Sequence, residues 1–343
     1  MGRTTKGPLR AAVIGVGYLG RFHAQKYRLI DNVQLVGVAE VDPVRGKQVA
    51  AELGVPWFAD YRDLLPLVEA VSICVPTQFH YRITEACLEA GLHVLVEKPI
   101  TVTLNEADEL IALAESHHRV LQVGHLKRFH PAVAALKRSG VLRPLHYIES
   151  QRLAPFKPRA LDVDVVLDLM IHDVDLILNF VGSELATVEA VGSRVITDQV
   201  DVANARLTFQ NGCVANLTAS RISRDSTRRI RLIQDDAFIS LDFITKDIVL
   251  LHRGEHPEMA GGVRYWPLVE TRLAIEDYDT LEAEIRAFCE SVLGGTPPLV
   301  SGRDGRKALE VVSAIRLAMG CNDLAARDAR GACADNGAEG CDS

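Results

Sequence analysis

Residues 13–20 read Val13-Ile14-Gly15-Val16-Gly17-Tyr18-Leu19-Gly20, and a carboxylate, Glu40, follows 20 residues after the last glycine. The apolar run 11–14 fits a buried parallel strand. The first glycine permits a tight turn, the second lets backbone approach a pyrophosphate, and the third lets the next helix pack close to the strand. That helix points its first amides at the phosphates. A second apolar run, 33–39, ends at Glu40, where a carboxylate can accept from the ribose hydroxyls and repel a 2′-phosphate. Gly15, Gly17, Tyr18, Leu19, Gly20 and Glu40 therefore read as a dinucleotide site suited to NAD over NADP. Arg45, close to Glu40, pulls toward NADP.

The alternation of strand and helix continues to about residue 125. Apolar strands at 71–75, 92–96 and 120–123 are separated by helices at 81–90 and 104–116, and Asp42-Pro43 reads as the cap of a helix to about 53. Continuous apolar strands between helices mean a parallel sheet covered on both faces. From 145 to 252 the pattern becomes short strands of period two, with a hairpin signal at Asn211-Gly212. A helix over 163–181 interrupts them, and helices near 279–293 and 304–319 follow. The expected class is α/β: a Rossmann dinucleotide-binding domain at 1–126, then an α/β domain at 127–324 with a large, mostly antiparallel open sheet. Residues 325–343, rich in Ala, Gly and Asp, read as a disordered tail.

Composition narrows the partners. The net charge of −7 over 343 residues disfavours nucleic acid and anionic membranes. No apolar run approaches the ~20 residues of a membrane span, and no apolar core follows the basic first residues as in a secretory signal. The seven cysteines form no CxxC pair and no zinc spacing. We therefore expect a cytoplasmic protein without a bound metal.

Three groups of residues carry candidate chemistry. Glu97-Lys98-Pro99 follows the strand 92–96, and ligands of open parallel sheets bind beyond such strand ends. There Lys98 can hold a substrate hydroxyl or act as a base, or be an ordinary surface lysine. Asp168, His172 and Asp175 share one face of an apolar helix, so they are an acid-base pair, a structural ion pair or a metal site. Pro76, Thr77 and His80 follow another strand and fall beside the cofactor by the same rule. His125 and Arg128 follow the last strand at the domain junction, where Arg128 fits a substrate anion or a junction ion pair equally.

Together these segments resemble the Gfo/Idh/MocA family of NAD(P)-dependent sugar and polyol oxidoreductases, over roughly residues 9–320. The resemblance rests on the glycine turn, 73–77 with His80, Glu97-Lys98-Pro99, and Asp168 with His172. It implies a catalytic set of Lys98, Asp168 and His172, a cofactor contact at Glu97, and a homodimer or homotetramer built on the second sheet. A narrower similarity links 123–133, 152–159 and 162–175 to members that oxidise UDP-N-acetylglucosamine-type sugars at carbon 3, although His130 stands where they carry asparagine. Lys98, His125, Arg128 and His172 would then meet the substrate. Dehydrogenation of myo-inositol, a free sugar or a sugar acid is the alternative within the family. A non-catalytic NAD sensor is a second alternative, disfavoured because it needs no proton-transfer set.

Overall fold

The structure is a computed structural model that describes residues 7–158 and 163–320. Strands β1 (Leu9–Ile14), β2 (Val33–Ala39), β3 (Trp57–Phe58), β4 (Ala70–Ile73), β5 (His93–Glu97) and β6 (Leu121–Gly124) form a sheet of order β3-β2-β1-β4-β5-β6. Every pairing in it is parallel. The order reverses between β1 and β4, so the ligand crevice opens beyond their carboxyl ends.

Helices α1 (Tyr18–Tyr27), α2 (Pro43–Leu53), α3 (His80–Glu89) and α4 (Leu104–Ser116) connect the strands. Local chemistry sets their starts. The Asp42 carboxylate caps α2 by accepting from the N–H groups of Val44 and Arg45, with Pro43 in the first turn. Thr103 and Glu106 close a reciprocal capping box at α4.

The second sheet follows α5 (Pro131–Ser139). Its strands are β7 (Leu145–Leu153), β8 (Leu185–Ser193), β9 (Val202–Phe209), β10 (Val214–Ser220), β11 (Thr227–Gln234), β12 (Ala237–Asp242) and β13 (Asp247–Arg253). A small hairpin of β14 (Glu258–Ala260) and β15 (Val263–Tyr265) precedes an edge strand, β16 (Leu268–Arg272). The order is β16-β13-β12-β11-β7-β10-β9-β8. Only β7 and β10 run parallel; the other neighbours are antiparallel. Gly212, at φ +86°, turns the expected hairpin between β9 and β10. Alternate residues such as Ala203, Ala205, Leu207 and Phe209 are buried in one core with Ile171, Val174 and Ile177 of helix α6 (Ile171–Val181).

The expected helix over 163–181 is not one uniform helix. Its first part, Val166–Met170, is π-helical, and α6 continues from there. The expectation for the tail at 325–343 lies outside the described residues.

The last helices return toward the first sheet. In α7 (Thr280–Gly294), Ile285, Phe288 and Cys289 are buried in one cluster with Ala11, Val13 and Tyr27. Helix α8 (Gly302–Ala318) serves both sheets: Leu309 belongs to a core under β6, whereas Val312 and Ile315 belong to the core of the second sheet. A Cβ on Gly305 would sit 2.6 Å from Val123, so only glycine lets α8 approach β6 this closely.

Candidate active site

The glycine turn is shaped for a dinucleotide. Gly15 has φ +82°, and a Cβ there would lie 2.8 Å from the Cys74 carbonyl. A Cβ on Gly20 would collide with the Gly15 carbonyl oxygen at 1.9 Å, which fixes the close packing of α1 on β1. At Gly17 an added Cβ would meet nothing within 4 Å, so this backbone faces open space. Gly17 also precedes α1 without a side-chain cap, leaving the first amides to a ligand. Tyr18 is exposed and Leu19 half-buried at the same end.

Glu40 directly follows β2 and is buried. Its carboxylate accepts from Val16 N–H (3.0 Å) and Asp42 N–H (3.1 Å), which fixes it beside the turn. Arg45 approaches it to only 3.9 Å and is half exposed. Pro76 is exposed and Thr77 half-buried beyond β4. Open glycine backbone, uncapped amides that donate and a fixed carboxylate that accepts are the groups that NAD requires, and they fit it.

His80 departs from the cofactor contact expected of it. Its ring is buried, with Nδ1 2.8 Å from the Pro99 carbonyl and Nε2 2.9 Å from the Val75 carbonyl. Two acceptors favour the charged ring, but burial dominates and lowers its pKa. The side chain braces the loop after β4 against the turn after β5.

That second turn carries Lys98. Glu97 ends β5, and the Lys98–Pro99 peptide is cis. The Glu97 carboxylate fills space that only a glycine at 124 leaves open, since a Cβ there would come within 2.8 Å of it. His23 Nε2 lies 3.1 Å from one carboxylate oxygen, and the Lys98 N–H donates to the other at 3.3 Å. His23 is fully buried on α1. No expectation singled it out, although its spacing of three from Gly20 puts it on the inward face of α1. The Lys98 ammonium donates to the Asp168 carbonyl oxygen (2.9 Å), and the Asp168 carboxylate lies 4.0 Å away.

The expected alignment of Asp168 on His172 does not form. No hydrogen bond joins them among the described residues, and His172 Nδ1 is buried without a partner there. The π turn is the physical reason: its i→i+5 bonding widens the helix, so a four-residue offset no longer stacks the two side chains. Asp175 is also unavailable to a three-ligand metal site. Both its oxygens accept from Arg128 (2.8 and 2.9 Å), whose Nη1 donates to Asn179 (2.6 Å). Arg128 thus forms a junction ion pair, one of the two roles its position offered. A second buried pair, Arg152 with Asp173, has bonds of 2.8 and 2.6 Å.

Burial, then the charge of Lys98, pushes His172 well below its ordinary pKa. His125 is enclosed, with both ring nitrogens unpartnered among the described residues, and burial lowers its pKa as well. The charges of Asp175, Arg128 and Lys98 also act on it. The site therefore joins a dinucleotide cradle, an amine fixed at a strand end and a neutral imidazole.

Comparison with known proteins agrees. A family model described as an oxidoreductase family with an NAD-binding Rossmann fold matches residues 9–125, and its companion C-terminal domain matches 133–240. UDP-N-acetylglucosamine 3-dehydrogenase of Acidithiobacillus ferrooxidans is 44% identical over 91% of this chain and 97% of its own length. A solved structure of that enzyme superposes with a TM-score of 0.84 at 42% identity, covering 91% of this chain and 98% of that one. Myo-inositol 2-dehydrogenase of Thermotoga maritima is 29% identical over 88% of this chain and 93% of its own length. The chain belongs to the Gfo/Idh/MocA oxidoreductase family. It is an NAD-dependent dehydrogenase acting on CH–OH.

Proposed function

We propose that this enzyme oxidises the carbon-3 hydroxyl of a UDP-N-acetylglucosamine-type nucleotide sugar. The carrying observation is the 44% identity to the Acidithiobacillus enzyme along nearly its whole length. The Lys98 amine held by Asp168, with its charge acting on His172, supports it.

Bound NAD supplies the hydride acceptor. Lys98, Asp168 and His172 form the set that handles the proton. The sugar hydroxyl lies against Lys98 and His172, and as the carbinol carbon is oxidised its proton passes to His172. Burial keeps that imidazole neutral and able to accept. The Lys98 ammonium donates to the same oxygen and stabilises its developing negative charge. Asp168 acts on the amine, not on the imidazole, by holding Lys98 through its backbone carbonyl. His125 supports the substrate side of Lys98. Gly15 to Gly20, Glu40, Pro76, Thr77 and Glu97 form the cofactor side. Residues 1–126 are assigned to the cofactor and 127–324 to the substrate.

A homodimer or homotetramer in the cytoplasm completes this reading. Exposed apolar side chains at Met259, Val263, Leu268 and Val269 favour association through the β14–β16 end of the second sheet. The free cysteines Cys74, Cys87, Cys213 and Cys289 fit a reducing compartment.

Purified enzyme incubated with NAD and UDP-N-acetylglucosamine should yield a product two hydrogens lighter by mass spectrometry, with NADH. The Thermotoga relative makes myo-inositol the comparison substrate. Turnover of inositol without turnover of the nucleotide sugar would replace this reading.

A further inference from the structure

A pocket beside Asp168 and Leu169 is lined by Lys157, Arg221, Ser226 and Arg228. Lys157 follows β7, Arg221 follows β10, and Ser226 and Arg228 flank the start of β11, so three strand ends of the second sheet meet there. We propose that this pocket seats the diphosphate of a nucleotide-sugar substrate, with Lys157 and Arg228 as its anchors.

Position comes first. The pocket shares Asp168 with the site, and Asp168 holds Lys98 at 2.9 Å. A substrate with its reacting hydroxyl at Lys98 can therefore extend its other end into this pocket.

Charge comes second. The chain carries a net −7, yet among the described residues this pocket is lined by three cations and one carboxylate. Arg221 is buried; it donates to the Val163 carbonyl (2.6 Å) and lies 3.8 Å from Asp201, which offsets its charge. Lys157 and Arg228 stand at the exposed rim. Lys127 adds to the field: burial, Arg152 and Arg228 lower its pKa to about 8. Arg152 is neutralised by Asp173. The Ser226 hydroxyl adds a neutral donor. A polyol or free sugar offers no anion to match these cations. Guanidinium and ammonium groups converging on one concavity are suited to phosphate oxygens.

This assignment rests on the nucleotide-sugar reading, and its test separates the two. Calorimetric titration of NADH-loaded enzyme with UDP should give binding that weakens with added salt. Lys157→Gln and Arg228→Gln should each raise the UDP Kd about tenfold, as expected for loss of one charge-assisted hydrogen bond. The KM for UDP-N-acetylglucosamine should rise in parallel. NADH affinity and melting temperature should not move, nor should UDP affinity in Lys307→Gln, which removes a surface charge paired with Glu184. Wild-type UDP affinity in the double variant, in an enzyme that oxidises UDP-N-acetylglucosamine, would overturn the pocket and leave the proposed function standing. Tight binding of glucuronate or inorganic phosphate without UDP binding would make it a site for a different anion and overturn the diphosphate. Absence of both UDP binding and nucleotide-sugar oxidation would remove the proposed function itself.

Discussion

His172 owes its chemistry to where its ring is held. Burial and the adjacent Lys98 ammonium keep it neutral well below its ordinary pKa. A base that is already neutral needs no help from rising pH, so the acid limb of kcat/KM should fall below pH 6.5. A limb centred above that value would contradict the assignment. His172→Ala and Lys98→Ala should each lower kcat by at least ~100-fold while NADH binding persists. Stopped-flow turnover beside NADH fluorescence titration checks both halves. Lys98 was legible in the sequence because a strand end followed by Lys-Pro specifies a position in a parallel sheet. The separation of Asp168 from His172 was not, because a helical wheel drawn at 3.6 residues per turn cannot anticipate a π turn at Val166–Met170. His23 and Gly124 were likewise invisible. Their meaning comes from sharing one carboxylate, Glu97, across residues distant in the chain.

Helix α6 shows how one element can be polar in sequence and apolar in role. Asp173 and Asp175 are both buried, and each is answered by an arginine from another element. Removing one partner leaves a charge without water or counterion, a loss of roughly 3–5 kcal/mol. Arg128→Leu should lower thermal stability by that order, and Arg128→Leu with Asp175→Leu should recover much of it. Calorimetric melting of the three proteins measures both, and a double variant no better than the single would refute the pair. The sequence showed the conflict between apolar helix and acidic residues but not its resolution, since neither arginine is a helical neighbour. Strands were readable where one face is buried, as in β9, whose inward residues alternate. Strands β14–β16 are exposed along their length, so no alternation marks them.

Across the molecule, four imidazoles share one direction of shift. His80, His125, His130 and His172 all lie below 6.5, chiefly through burial, with His130 at about 4. The unfolded chain therefore binds more protons as pH drops below 6.5, and folding stability declines from there. Glu284 opposes this. It is buried and raised well above its usual value, so the folded chain keeps a proton that the unfolded chain loses above about 4.5. Four groups against one predict a melting temperature that falls between pH 7 and pH 5, before most carboxylates titrate. A flat profile over that range would refute this balance. The path of the chain was only partly readable at this scale. Two domains in series were evident, but the return of α7 was not, because its apolar face at Ile285, Phe288 and Cys289 does not say which sheet it will cover. On the ribosome that return sets a schedule. The first hundred or so residues can pair their strands as soon as they emerge, but the face under α1 stays uncovered until residues 280–294 have been synthesised. An enzyme whose nucleotide site lies at its beginning thus completes that site's support only near the end of translation.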